Sequence, residues 1–305
     1  MIIDSEEQVT EAVLEETARI EDARVGQIIR SLIRHLHAFV REVGLTEQEF
    51  DQAIKLVTAL GQITTDSHNE TRLMAGSLGV SILVSLTNNH GTSANLLGPF
   101  WRAGAPHVED GGTLLRSPTP GLPLFFTGRV IDTRGGAIPG ATVDVWQASP
   151  QGLYENQDPT QADWNLRGRL ITDHEGTFRF RSVKPAGYPI PMNGPVGRLL
   201  TTEHRHPFRP AHLHALIYKP GFKTIATQVY SDDDPLLETD AQFGVVRHLL
   251  GHYVRHDGPP APAPELQGPW CSLEYTFVLQ PGEMWLPTPP VSAKAQTALG
   301  TVSRS

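Results

Sequence analysis

The spacing of apolar residues changes near residue 110 of this 305-residue chain. Before that point, apolar residues recur at intervals of three and four, as Ile28, Leu32 and Leu36 do within residues 25–43. This interval matches the 3.6-residue period of a helix with one apolar face. The pattern therefore predicts that the first part of the chain folds into amphipathic helices.

Two local signals refine the helical part. Thr46 and Glu49 have the spacing of a capping box, which predicts that a helix begins there. A further helix is predicted within residues 66–91. Gly76 and Gly79 lie inside it, and each costs about 1 kcal/mol relative to alanine. We therefore expect a close contact that requires small residues at this point.

After residue 110, short alternating runs lie between turn signals such as Pro139-Gly140. Short strands at this density are typical of an antiparallel β-sandwich. Helices followed by strands place the chain in the α+β class. We expect a helical N-terminal domain over residues 1–110 and a β-sandwich domain over residues 111–305. The predicted strands are residues 124–130, 142–146, 169–172, 177–180, 212–218, 223–230 and 272–279.

Charge and cysteine content exclude several classes of protein. The chain has 25 basic and 33 acidic residues, a formal net charge of −8, which argues against a general binder of nucleic acid or of anionic membranes. Cys271 is the only cysteine, so no intramolecular disulfide can form. The N terminus lacks the basic and apolar segments of a signal peptide. We expect a cytoplasmic protein with no nucleic-acid or membrane partner.

His212 and His214 are the strongest local candidates for metal binding. On a strand, alternate residues share a face, so these side chains lie about 6.6 Å apart along one side. Leu213 and Ala215 would then point to the core. Two imidazoles in this position can bind one ion. Residues 215–222 contain no acid that would complete a site of two histidines and a carboxylate. Two histidines on a solvated strand face remain the alternative.

Tyr154 and Tyr188 lie in predicted loops, where functional side chains concentrate. A phenolate is a hard anionic ligand that suits a ferric ion, as the tyrosine-ligated haem of catalase illustrates. The alternative for each is a packing tyrosine whose hydroxyl is hydrogen-bonded.

Five segments, in this order and spacing, resemble the intradiol ring-cleaving dioxygenases, and the resemblance extends over about residues 25–280. The helical beginning is similar to the catechol and hydroxyquinol 1,2-dioxygenase branch. That resemblance implies a helical dimerisation part, a homodimer in which a lipid can occupy the helical interface, and one Fe(III) per chain. It also implies O2-dependent cleavage of a catechol-type ring between its two hydroxylated carbons. The segments are residues 97–106 (LGPFWRAGAP), 145–148 (VWQA), 152–154 (GLY), 187–191 (GYPIP) and 209–214 (RPAHLH).

The resemblance also implies roles for individual residues. Arg209 matches the arginine that faces the ring and stabilises its carbanion-like form, and Gln228 matches a glutamine of the pocket. Tyr188 would also take up a substrate proton when the substrate displaces it. The implied iron ligands are Tyr154, Tyr188, His212 and His214. The implied substrate-binding residues are Leu73, Gly76, Leu96, Gly98, Pro99, Arg209, Gln228 and Gln242, with Ala241 beside them.

Substrate choice is less constrained. The sequence as a whole favours hydroxyquinol as the substrate, with catechol or a substituted catechol as the alternative. Hydroxyquinol enzymes usually carry an acidic residue at the place of Gly76, and Trp101 stands where a smaller aromatic or polar ring is common. We expect the glycine to leave a wider and less polar wall, and hence tolerance of ring substituents.

A second function class fits one segment of the chain. Residues 128–143 also resemble the repeat of transthyretin-like β-sandwich modules, which bind partners or act as spacers without a metal. Such a module has no use for the four proposed iron ligands. The two hypotheses therefore differ in whether those four side chains meet in the fold.

Overall fold

The computed structural model describes residues 2–294, and packing divides the chain into two compact units, one ending at Thr58 and the other beginning at Ala59. The α-helices of the first unit are α1 (Glu6–Glu16), α2 (Ala23–Val43) and most of α3 (Glu47–Ile63), and a short 3-10 helix (Thr17–Arg19) follows α1. The predicted domain boundary at residue 110 is not a packing boundary in this division, and as a functional boundary it stays a prediction.

Local sequence sets the ends of these helices. Helix α2 begins after Asp22, whose carboxylate accepts hydrogen bonds from the backbone amides of Arg24 and Val25, and it ends at Gly44 in the left-handed conformation. The predicted capping box is confirmed: Glu49 accepts from the Thr46 amide at 2.9 Å, and the Glu49 amide donates to the Thr46 hydroxyl at 3.3 Å.

The prediction of one helix within residues 66–91 is wrong, because two short helices occupy this region. Helix α4 covers Glu70–Ser77 and helix α5 covers Val80–Asn88. Gly79 lies between them with a φ of +71°, a conformation that residues with a side chain rarely adopt. The glycine therefore marks the break between the two helices, where it caps the start of α5.

The β part of the second unit is a sandwich of two five-stranded sheets, and all seven predicted strands are found in it. The α+β class is confirmed. The sheets are mixed rather than purely antiparallel, since β12 pairs with β2 in parallel. One sheet has the order β1-β5-β2-β12-β11 and the other β10-β9-β8-β3-β4, while β6 and β7 form a separate pair. The elements are β1 (Gly112–Thr113), β2 (Pro123–Asp132), β3 (Thr142–Gln147), β4 (Arg167–Ile171), β5 (Thr177–Val183), β6 (Tyr188–Pro189), α6 (Pro195–Thr202), β7 (Phe208–Arg209), β8 (His212–Tyr218), β9 (Ile225–Ser231), β10 (Leu250–Gly251), β11 (Val254–His256) and β12 (Trp270–Leu279).

Strand β8 has two buried faces, and this is what creates the site. Leu213 and Ala215 point into the core between the sheets, as predicted from their alternation. The opposite face carries His212 and His214, both 0% exposed. A second apolar cluster, which includes Tyr154, Tyr188 and residues of α4 and α6, covers that face. The alternative of two histidines on a solvated face is therefore wrong.

Among residues 2–294, no helix combines the length and apolar character needed to cross a membrane.

Candidate active site

Three elements carry the predicted ligands. Tyr154 lies in the loop after β3, and Tyr188 lies in β6, where it is paired with Arg209 of β7. His212 and His214 project from the same face of β8. The neighbouring strands place Trp146 of β3 directly opposite His214, and its indole stacks on the imidazole with ring centroids 4.7 Å apart.

The polar ends of the four side chains converge on one point. The hydroxyls of Tyr154 and Tyr188 are 3.1 Å apart, and the Tyr188 hydroxyl is 3.4 Å from Nε2 of His212. The Nε2 atoms of His212 and His214 are 3.1 Å apart. Atoms that bind one ion at about 2.0–2.2 Å lie roughly 3 Å from each other. The spacing therefore fits two phenolates and two imidazoles around a single metal ion.

The tyrosines are essential to any metal site here. Within the part of the chain that the structure describes, no group of three or more His, Cys, Asp or Glu side chains could hold an ion. The donor set is consequently two nitrogens and two phenolic oxygens, which suits a hard, highly charged ion better than a soft one. Iron in the ferric state meets this requirement.

The histidines are held in the neutral form that a metal requires. Nδ1 of His212 lies 2.7 Å from the carbonyl oxygen of Pro210, so it carries the proton and donates, which leaves the Nε2 lone pair at the convergence point. Burial, together with the nearby Arg209 guanidinium, lowers the pKa of His212 to about 3. Burial and the neighbouring His212 also lower the pKa of His214.

Both phenols are buried. Burial raises the pKa of Tyr154, and the adjacent Tyr188 raises it further. Burial also raises the pKa of Tyr188, although the positive charge of Arg209 opposes the shift. A cation at the convergence point would stabilise the phenolate forms, because the nearby charges of Arg209 and Arg167 do not offset the effect of burial.

Arg209 places a full positive charge beside His212. Its Nη1 atom lies 3.4 Å from Nε2 of His212, and the residue is 2% exposed. Burial works to lower the pKa of Arg209, but the carboxylate of Asp240 outweighs it and the net pKa is raised. The guanidinium thus stays charged although it is almost completely buried, and it lines the cavity described below.

Gln228 and Tyr230 of β9 orient this arginine. Nη2 of Arg209 donates to Gln228 Oε1 and to the Tyr230 hydroxyl, both at 2.9 Å, and Tyr230 also donates to Gln228 Oε1. Gln228 Nε2 donates to the carbonyl oxygen of Leu96 at 3.2 Å. Gln228 does not line the cavity described next, and it touches the arginine instead. Its predicted substrate contact stays a prediction.

A cavity opens on this cluster. Its walls include most of the predicted substrate residues. Tyr188 is the one predicted ligand that reaches this cavity. Ala241 is buried but does not line it. The predicted residues on the wall are Leu73, Gly76, Leu96, Gly98, Pro99, Arg209 and Gln242, and further wall residues include Arg72, Ser81, Leu97, Phe100 and Ile190.

Two glycines shape the wall of the cavity because they have no side chain. Gly98 has a φ of +72°, and a Cβ there would lie 2.9 Å from the His214 ring. The expectation that Gly76 leaves a wider and less polar wall is wrong. A Cβ at Gly76 would lie 1.8 Å from Oε1 of Gln242, so a polar amide fills the space that the glycine leaves.

Three residues around the site were not predicted. Tyr230 could have been found, because it stands two residues after Gln228 and so shares its strand face. Trp146 lies inside a quoted motif but was given no role. Asp240 lies in a loop, and no local sequence pattern pairs it with Arg209.

The comparisons with known proteins agree with this geometry. Residues 22–95 match the family model of the catechol dioxygenase N terminus, and residues 96–281 match that of the dioxygenase domain. The chain is 39% identical over 282 residues to the hydroxyquinol 1,2-dioxygenase of Rhizobium sp. (strain MTP-10005), covering 90% of this chain and 95% of that protein. It is 40% identical over 278 residues to the 6-chlorohydroxyquinol 1,2-dioxygenase of Cupriavidus pinatubonensis, covering 90% and 96%.

A solved structure shares the fold as well. The hydroxyquinol 1,2-dioxygenase of Pseudomonas putida DLL-E4 superposes with a TM-score of 0.79 at 38% identity, covering 91% of this chain and 99% of that one. A transthyretin-like spacer would not be matched in this way along both the helical and the β parts. The chain therefore belongs to the family of intradiol ring-cleavage dioxygenases, enzymes that use non-haem iron and O2 to open catechol-type rings.

Proposed function

We propose that this enzyme cleaves hydroxyquinol (benzene-1,2,4-triol) between its two adjacent hydroxylated carbons, giving 3-hydroxy-cis,cis-muconate, the enol form of maleylacetate. The observation that carries the chemistry is the chain of contacts that joins the polar ends of Tyr154, Tyr188, His212 and His214, in which each neighbouring pair lies 3.1–3.4 Å apart. The observation that favours this substrate is that both relatives described above, and the solved structure, are named for hydroxyquinol or its chlorinated form.

In this proposal the four side chains hold one Fe(III) per chain. Two phenolates and two neutral imidazoles would leave the ion with one net positive charge. When bound, Fe(III) supplies a Lewis acid that draws electron density from the catecholate ring and makes it reactive toward O2. The protein supplies the dry, shaped site and the outer contacts, such as the Pro210 carbonyl on His212, that keep each ligand oriented.

The chain's own groups then act on the substrate. Tyr188 lines the cavity, so it is the ligand that an incoming substrate can displace and the group that can take up a substrate proton. Arg209 also lines the cavity, and its fixed charge stabilises negative charge that develops on the ring. Gln228 and Tyr230 keep the guanidinium in place, while the apolar side chains of Leu73 and Pro99 pack on the ring.

Oxygen uptake by purified, iron-loaded protein tests the proposal. We expect hydroxyquinol to consume one O2 per ring and to give a product with the absorbance of a hydroxymuconate, and catechol to react with lower kcat/KM. Metal analysis should give about one iron per chain. Protein that holds iron but cleaves no catechol-type ring would contradict the proposal, and a preference for catechol would support the alternative substrate.

We also propose that the enzyme is a homodimer that associates through α2. The supporting observation is a stripe of apolar side chains on this helix, about half exposed in the single chain, at positions three or four residues apart. A helix of a soluble protein normally buries such a stripe. The same apolar side chains would contact a lipid, if one is held at the dimer interface. The stripe contains Val25, Ile28, Leu32, Leu36, Phe39, Val40 and Val43.

A further inference from the structure

Gly76 and Gln242 occupy one space in the cavity wall. Gly76 is the penultimate residue of α4, and the Oε1 atom of Gln242 lies where a side chain at position 76 would begin. Any residue other than glycine would collide with the Gln242 amide in this position. Because the colliding atom is the end of a flexible side chain, a substitution at 76 would displace the amide without disrupting the backbone.

The Gln242 side chain is fixed in this position. Its Nε2 atom donates to the hydroxyl of Ser77 at 2.6 Å and its backbone amide donates to Asp240 at 3.1 Å. Arg205 links the two segments, since it donates to the carbonyl oxygens of both Ser77 and Ala241. The amide is therefore anchored from the end of α4 and from its own loop.

The anchoring leaves one polar atom for a ligand. Nε2 is used by Ser77, whereas Oε1 accepts no hydrogen bond from the residues that the structure describes. Gln242 is 5% exposed and lines the cavity together with Tyr188 and Arg209. A preformed neutral acceptor thus faces the space in which the substrate ring must lie.

We propose that Gln242 is the residue that selects substrates with a third ring hydroxyl, by accepting a hydrogen bond from that hydroxyl at Oε1, and that Gly76 is required because it leaves room for the amide. This inference rests on the proposed function and specifies how the substrate is chosen. The acceptor comes from the loop after β9, and it is an uncharged amide.

The test compares hydroxyquinol with catechol in the iron-loaded enzyme. In Gln242→Leu, which keeps the size but removes the acceptor, we expect the ratio of kcat/KM for hydroxyquinol to that for catechol to fall about three- to tenfold, the range of one neutral hydrogen bond. Gly76→Ala should lower the ratio in the same direction, because the new methyl group displaces the amide. Ser77→Ala should have a smaller effect, since it removes only the anchor.

Gly61→Ala is the matched control. This glycine also lies in a helix, and a Cβ there meets nothing within 4 Å, so the ratio should not change. Anaerobic titration of the visible absorption band with hydroxyquinol and with catechol gives a second readout. The ratio of the two dissociation constants should shift by a similar factor in the variants.

The two proposals fail in different ways. If the wild-type protein cleaves catechols but Gln242→Leu and Gly76→Ala leave both ratios unchanged, Gln242 does not contact the third hydroxyl and the inference is overturned. If the iron-loaded wild-type protein cleaves no catechol-type ring, the proposed function is wrong and the inference falls with it.

Discussion

The side chains of Arg209 and Asp240 form a two-point ion pair that is almost completely buried. Nε of the arginine lies 2.9 Å from Oδ1 and Nη2 lies 2.8 Å from Oδ2, and both side chains are 2% exposed. The same carboxylate accepts from the backbone amides of Gln242 and Gly244. One aspartate therefore orients the charged group of the active site and also the loop that forms part of the substrate wall.

Replacing Arg209 should affect both stability and turnover. Arg209→Ala leaves the Asp240 carboxylate buried without its partner, which typically costs about 3–5 kcal/mol. We also expect kcat to fall about 10²–10³-fold, because a fixed charge that stabilises the reacting ring is lost. Iron content should be unchanged, since Arg209 is not a ligand. Urea unfolding, steady-state kinetics and metal analysis measure the three effects.

The double variant Arg209→Ala/Asp240→Asn separates these effects. Removing the stranded negative charge should restore part of the free energy of unfolding but none of the lost turnover. If the double variant also regains activity, the guanidinium acts only by compensating Asp240, and its assigned contact with the ring is wrong.

The tyrosine ligands give the second prediction. Tyr154→Phe removes one of two phenolate donors, so we expect iron to be lost and with it the visible charge-transfer colour of the protein. Activity should fall below detection. Iron analysis and the visible spectrum of purified protein measure these outcomes.

Tyr253→Phe provides the control, because Tyr253 is also buried and its hydroxyl has no partner among the described residues. This variant should keep iron and colour. Full iron content in Tyr154→Phe would show that the tyrosine is a packing residue.

The third prediction concerns pH and Glu70. This carboxylate is 0% exposed, lies 2.7 Å from Nε2 of His68, and accepts at 2.9 Å from the Val196 amide at the start of α6. Burial alone would raise its pKa, but His68 and the amide outweigh burial, and the pKa of Glu70 is lowered. A lowered pKa means that the carboxylate stabilises the fold above its unfolded-state pKa of about 4.3 and that this contribution is lost as pH falls through the folded-state value.

Glu70→Gln should accordingly lower the free energy of unfolding by about 1–3 kcal/mol at pH 7. The difference from wild type should begin to shrink as pH falls below about 4.3, where Glu70 of the unfolded chain becomes protonated, and should be lost once pH falls below the lowered folded-state pKa. Urea unfolding at several pH values from 7 to below about 4 measures this difference. The exposed Glu274 is the control, and Glu274→Gln should change stability by less than about 0.5 kcal/mol at every pH. A Glu70 effect that does not depend on pH would show that charge is not involved.

The fourth prediction tests the dimer. Leu32 lies in the middle of the α2 stripe and is 52% exposed in the single chain. Leu32→Glu should produce monomers in sedimentation at micromolar concentration, because a charge would be buried in an apolar interface. Arg34 is two residues away and so points from nearly the opposite face of the helix. Arg34→Glu should leave the protein dimeric, whereas a monomeric wild-type protein would contradict the proposed association.

The periodic patterns of apolar residues predicted most helices and strands correctly. Particular residues explain which features could not be predicted from the sequence. The alternation of β8 placed Leu213 and Ala215 in the core and the two histidines together on the other face. A helical pattern, however, does not reveal that Gly79 adopts a positive φ, so the break between α4 and α5 was missed. Contacts between distant segments, such as Arg209 with Asp240 or Gly76 with Gln242, depend on the tertiary fold. No periodic pattern in the sequence indicates them. The misjudged wall at Gly76 has this cause.

The parallel pairing of β2 with β12 has a consequence for how the chain is made. The proposed iron ligands all lie between Tyr154 and His214, but the sheet behind them lacks one of its central strands until residues 270–279 have been synthesised. At a translation rate of about 5–20 residues per second, the edge of β2 stays without its partner β12 for roughly 7–30 seconds during synthesis. During that interval an apolar strand edge is open to pairing with other chains. The yield of active enzyme should therefore depend on translation speed and on chaperones that shield this edge.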